Sequence, residues 1–168
     1  MAEGRTQFSE LLAGYGTTTI GEGLHVDSVF ALLKVRDEEG RAAWSVRSGG
    51  SPLTREELLG VLDGLTTSMR QRLTRAWKRS AAESPPPSPG GSAAVPFSEL
   101  LAGLETEGLD ERYLIESVFA VIKARRADGV PVWCARSSEM KLTAEERLGA
   151  LEGYAATIRQ DLADTWKW

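Results

Sequence analysis

From Val26 to Arg47 the chain reads VDSVFALLKVRDEEGRAAWSVR, two apolar-rich runs joined by a short charged segment that ends on a glycine. Such a pattern predicts a β-hairpin, with strands Val26 to Arg36 and Ala42 to Arg47 and a turn at Glu38-Glu39-Gly40. Side chains alternate across a strand. A two- or four-residue loop therefore puts Val29, Ala31, Leu33, Val35, Trp44 and Val46 on one face, read as the core. Phe30, Leu32, Lys34, Arg36, Ala43, Ser45 and Arg47 then share the other. A three-residue loop would exchange the faces of the second strand.

The hairpin recurs. A shift of 89 positions aligns Phe8-Ser9-Glu10-Leu11-Leu12-Ala13-Gly14 with Phe97-Ser98-Glu99-Leu100-Leu101-Ala102-Gly103, Ser28-Val29-Phe30-Ala31 with Ser117-Val118-Phe119-Ala120, and Trp44 with Trp133. The same shift pairs Thr54, Glu56 and Glu57 with Thr143, Glu145 and Glu146, and Trp77-Lys78 with Trp166-Lys167. Roughly four positions in nine agree over about 70 residues, which reads as duplication. The second hairpin carries Asp128-Gly129 at its turn, a type I′ signal. Between the copies, residues 80–95 are rich in Pro, Ser and Gly and read as a flexible linker, separating a first module, 1–79, from a second, 96–168.

Each copy opens with a short helix, Phe8 to Ala13 or Phe97 to Ala102, closed by Gly14 or Gly103. Tyr15 to Leu24, Gly/Thr-rich here and acidic in its counterpart, reads as a loop. The final helices start at Thr54/Glu57 and Thr143/Glu146 capping boxes. Leu59, Leu62, Leu65, Met69, Leu73 and Trp77 form one stripe, matched by Leu148, Leu151, Tyr154, Ile158, Leu162 and Trp166. That stripe is expected to cover the apolar hairpin face. The fold class is thus α+β: a tandem duplicated module, each short helix, β-hairpin and long amphipathic helix. One such module makes a thin core. The copies are therefore expected to pack as a pseudo-twofold pair, through joined hairpins in a four-stranded sheet or through their long helices, within one chain or as a homo-oligomer.

The chain is 168 residues long with a formal net charge of -4. Residues 1–79 hold eleven Lys/Arg against ten Asp/Glu, and 96–168 hold nine against thirteen, so the halves differ in charge more than in pattern. An acidic balance argues against a surface that is phosphate-binding throughout. With one cysteine, Cys134, no internal disulfide can form, which suits a reducing compartment. Met1 to Arg5 has no apolar run behind it and no segment approaches a membrane span, so a cytoplasmic location without membrane contact is expected.

Three features are candidates for function. First, Phe30, Lys34, Arg36 and Arg47, repeated as Phe119, Lys123, Arg125 and Arg136, put basic groups around an aromatic ring on the outward sheet face. Single-stranded nucleic acid or an acidic peptide uses such surfaces, although a solvated face with Phe30 under the first helix gives the same pattern. Second, Gly60, Gly64, Gly149 and Gly153 sit inside the long helices opposite the apolar stripe. Helix-interior glycine costs about 1 kcal/mol relative to alanine, so their retention in both copies suggests close approach of another backbone, from the other copy or a partner. Third, Trp44, Trp133, Trp77 and Trp166 are read as core anchors, with partner hot spots as the alternative; Trp168 is expected to be exposed.

No catalytic constellation can be assembled twice. His25 is the only histidine and corresponds to Leu114 in the repeat, Cys134 corresponds to Ser45, no His/Cys cluster has metal-ligand spacing, and no cofactor motif is present. The Ala/Arg/Leu/Gly-rich composition and the Ser28-Val29-Phe30-Ala31 segment resemble small proteins of GC-rich bacterial genomes, a likeness that implies no activity. The expectation is a non-enzymatic protein-binding, scaffold or regulatory module with two related surfaces. A nucleic-acid binder using the basic-aromatic sheet faces is the alternative.

Overall fold

Ser28 to Leu33 is buried at every position, not at alternate ones, so this strand is covered on both faces and must be central in its sheet. The computed structural model describes residues 4–79, 94–138 and 142–166. They form a mixed α+β fold in two compact units, each drawn from both halves of the sequence: 4–52 with 94–138, and 53–79 with 142–166.

The first unit holds β1 (Arg5–Gln7), α1 (Phe8–Leu11), β2 (Gly16–Thr18), β3 (His25–Arg36) and β4 (Ala42–Gly50). From the second half it takes β5 (Ala94–Pro96), α3 (Phe97–Leu100), β6 (Glu105–Glu107), β7 (Leu114–Arg125) and β8 (Pro131–Ser137); α2 (Arg55–Arg79) and α4 (Ala144–Thr165) belong to the second unit. A four-stranded antiparallel sheet runs in the order β4-β3-β7-β8, joining the hairpins through β3 and β7. Ala31 faces Ala120 at the middle of that ladder, with Phe30 opposite Val121 and Leu32 opposite Phe119.

Asp27 and Glu116 are the extra residues at its two register shifts. A bulge re-aims a side chain, and here each carboxylate meets an arginine from the other half: Arg36 with Glu116, Arg125 with Asp27 at 2.9 Å. Both pairs are partly exposed and contribute little each.

Short strands cross between the halves as well. β1 pairs with β6 and β2 with β5, so the Tyr15 to Leu24 stretch, expected as a loop, contains a strand. The Phe8 amide donates to the Leu104 carbonyl and the Phe97 amide to the Tyr15 carbonyl, both at 2.9 Å. These links seat α1 and α3 on one sheet face, where Phe8, Leu12, Phe97 and Leu101 pack with Val29, Ala31, Leu33, Val35, Val118, Ala120 and Ile122. Full burial of each such side chain contributes about 1.5–3 kcal/mol. The face expected to lie under the long helices is thus covered by the short ones, and Phe30 is not under α1.

The hairpin loops have three residues. The Asp37 amide donates to the Arg41 carbonyl and the Gly40 amide to the Asp37 carbonyl, with Gly40 at φ +82°; Arg126, Val130 and Gly129 repeat the arrangement. No described non-glycine residue has positive φ, so Asp128-Gly129 is not a type I′ turn but a turn closed by a left-handed glycine. The odd loop exchanges the faces of β4: Trp44 lies opposite Lys34 and Val46 opposite Leu32, while Ala43, Ser45 and Arg47 join the Val29 side. Trp44, expected in the core, is 40% exposed.

In the second unit α4 begins with a complete Thr143/Glu146 capping box, and the Thr54 hydroxyl accepts the Glu57 amide before α2. Arg70 pairs with Glu152 and Arg159 with Asp63, so the helices run antiparallel against each other. Most of the expected linker, 80–93, and Trp168 lie outside the described residues, while Ala94 and Val95 belong to β5.

A Cβ added at Gly49 would meet the Glu105 carbonyl oxygen and, at 2.7 Å, the Phe8 ring, whereas one added at Gly60 meets nothing within 4 Å. Gly49→Ala is therefore expected to lower stability by about 2 kcal/mol or more, because backbone and a buried ring must both shift. Gly60→Ala is expected to raise it by about 0.5–1 kcal/mol. Urea midpoints that moved in the same direction for both would contradict this packing.

Candidate functional site

The basic-aromatic set expected on an open sheet face is used inside the fold. Phe30 is 1% exposed and Phe119 4%, which leaves neither ring free to stack on a base. Arg47 donates Nε to the Glu107 carbonyl at 3.0 Å and Nη2 to the Gly108 carbonyl at 2.8 Å, and its Nη1 is held by Ser45 and Val46. Arg136 does the same on the other side, with Nη2 on the Thr19 carbonyl at 2.9 Å and Nε shared between Thr18 and Thr19. These guanidiniums clamp the loop of the opposite half.

Glu116 pairs with Arg36 and raises its pKa, chiefly through the hydrogen bond between them, and Arg125 is held by Asp27. Lys34 and Lys123 are half-buried, and the Lys123 ammonium lies 5.6 Å from the centre of the Trp133 ring. The structure does gather the eight residues on neighbouring strands: the four arginines in two clamps and two bulge ion pairs, the two rings buried and the two lysines half-buried.

Gly60, Gly64, Gly149 and Gly153 are exposed, and a Cβ at any of them meets nothing within 4 Å. The contact between α2 and α4 is made instead by positions such as Asp63 with Arg159 and Arg70 with Glu152. The glycines therefore do not bring these two helices together; they leave a smooth strip on each outer face.

Along the apolar stripes burial fades toward the C-terminal ends. Leu62 is 1% exposed, Leu151 0% and Ile158 4%, but Trp77 is 67% exposed and Trp166 68%. Both rings were expected as core anchors; the helices instead run on past the buried section. Leu73 and Leu162, one turn earlier on the same faces, are half-buried. Each helix thus ends in a Leu-x-x-x-Trp face that opens to solvent. Its signal in the sequence is that the leucine and the tryptophan both recur at the 89-residue shift although neighbouring positions reverse charge: Arg72 and Arg75 correspond to Asp161 and Asp164.

A cavity of about 440 Å³ is lined by Arg5, Val46, Arg47, Ser48, Thr106 and Glu107. The Thr106 hydroxyl is buried without a hydrogen-bond partner, whereas its counterpart Thr17 donates to the Ser137 carbonyl at 2.9 Å. Arg47, which lines this cavity, is committed to carbonyls. Among the described residues no three His, Cys, Asp or Glu side chains are placed to hold a metal ion, and no helix is long and apolar enough to cross a membrane. The chain matches no protein-family model, no curated protein and no solved structure.

If Arg47 and Arg136 act as clamps, Arg47→Ala or Arg136→Ala is expected to cost about 1–2 kcal/mol by leaving carbonyls unpaired. Lysine should recover little of this, because it lacks the guanidinium fork. An unchanged urea midpoint in both alanine variants would show that the arginines are ordinary surface charges.

Proposed function

We propose that this chain is a non-enzymatic protein-binding scaffold, built as a fused pseudo-twofold pair of duplicated α-β-β-α modules, 1–79 and 96–168 joined by a tether. The shared 89-residue shift supports the duplication, and the Ala31 to Ala120 pairing, the two bulge ion pairs and the two arginine clamps are all related by that same shift. Fusion fixes two related surfaces at one stoichiometry and lets them diverge. Lone Cys134 is compatible with a reducing, cytoplasmic setting.

One observation carries the functional reading: Trp77 and Trp166, at equivalent helix ends, are 67% and 68% exposed. A large ring in water forgoes the burial that stabilises a small fold, whereas tryptophan is enriched among residues whose truncation costs a complex 2 kcal/mol or more. Two exposed tryptophans, each one turn beyond a half-buried leucine of the same helix, fit a pair of protein-docking surfaces. The nucleic-acid reading loses its basis in the sheet, since its two aromatic rings are buried and its arginines engaged.

Crosslinking the chain to its partners in the native host, with and without Trp77→Ala and Trp166→Ala, tests this. The double variant should melt within a few degrees of the parent yet lose the crosslinked partner, each truncation weakening binding by about 30-fold. Identical partners at identical yield would remove the tryptophans from any docking role.

A further inference from the structure

Across the β3–β7 ladder, the arginine clamps and the helix pair, what a residue of the first half meets in the second, the residue 89 positions on meets in the first. In the ladder Val29 lies opposite Ile122 and Leu33 opposite Val118, about the Ala31–Ala120 centre. Arg36 meets Glu116 as Arg125 meets Asp27. Arg47 holds the carbonyls of Glu107 and Gly108, and Arg136 those of Thr18 and Thr19. Between the long helices Asp63 meets Arg159 and Arg70 meets Glu152. A surface that receives what it presents is isologous, the kind by which two identical copies pair about a twofold axis.

The residue types decide what such a surface accepts. Positions 27 and 116 are both acidic, as are 63 and 152, while 36, 125, 70 and 159 are all arginine. These pairs therefore do not distinguish the other half from a second copy of the same half: Arg36 would meet Asp27, and Asp63 would meet Arg70. The clamp acceptors are backbone carbonyls, which either half supplies. Two exposed ion pairs lack a mirror image, Arg5 with Glu105 at 3.5 Å and Arg55 with Asp161 at 4.0 Å. The second favours the mixed pair, since Arg72 stands in the first half where Asp161 stands in the second, but exposed pairs add little in water.

We propose that each half is self-complementary: 1–79 pairs with a second 1–79, and 96–168 with a second 96–168, through the same surfaces by which they pair with each other. The partner these surfaces fit is a second copy of this chain, with halves exchanged between the two molecules. This rests on the duplication reading and not on the tryptophan faces. The full-length chain carrying a protease site within residues 80–93 tests it, cut, unfolded in urea, refolded and weighed by native mass spectrometry. Both homotypic pairs should appear, together about as abundant as the mixed pair. Arg36→Glu with Glu116→Arg, combined with Asp63→Arg and Arg159→Asp, keeps every one of these ion pairs in the mixed pair but sets like charges together in either homotypic pair. Uncut, this variant should melt within a few degrees of the parent; cut, it should give homotypic pairs about 10-fold scarcer than the parent does.

A cut parent that re-forms only the mixed pair overturns the proposal, while leaving the duplication and the tryptophan faces standing. A cut parent that re-forms no pair overturns it too, because self-complementary halves need no tether. So does a charge-reversed variant whose homotypic pairs are as abundant as the parent's, since pairing would then not run through these contacts.

Discussion

The ladder between β3 and β7 is the interaction on which the first unit depends. Each strand is twelve residues long, with an unbroken buried run in its middle, and at a sheet edge either would leave a row of backbone amides and carbonyls unpaired. Setting them against each other around Ala31 and Ala120 makes both central at once. The other crossings follow from this pairing. Once the strands are antiparallel, the segments before them reach across, giving the β1–β6 and β2–β5 pairs and the backbone carbonyls that Arg47 and Arg136 hold.

The second unit repeats the logic with helices. Asp63 and Arg159, Arg70 and Glu152 are reciprocal pairs from opposite halves, set on antiparallel helices. In both units, contacts at positions related by the 89-residue shift join the halves. Charge differs between the halves at the hairpin tips, where Asp37-Glu38-Glu39 corresponds to Arg126-Ala127-Asp128, and at the helix ends, where arginine corresponds to aspartate.

Much of this could be read from residues, and where it could not the reason is physical. Helix, hairpin and long helix were legible because capping residues, β-branched runs and 3.6-residue periodicity are local signals. Joining the hairpins into four strands was legible because one module is too thin. The faces of β4 were not, because they turn on whether the loop has an odd or even number of residues, and Gly40 at φ +82° makes it odd. The three-residue strands carry too short a pattern to announce themselves. The arginines of the sheet read as a binding surface because strand alternation gives a side chain's direction and not its acceptor; their acceptors are carbonyls about 60 and 117 residues away, a contact no local pattern encodes. Trp77 and Trp166 lie on the apolar stripe as expected, but periodicity gives a face and not the point along the helix at which its cover stops.

The claim that each half completes the other is tested most directly by producing residues 1–79 alone and following its far-ultraviolet circular dichroism, thermal transition and sedimentation. The account predicts an unfolded or self-paired chain, since β3 without β7 has no second neighbour and α2 without α4 loses its ion-pairing partner. A monomeric fragment with hairpin and helix signals and a single cooperative transition would contradict it.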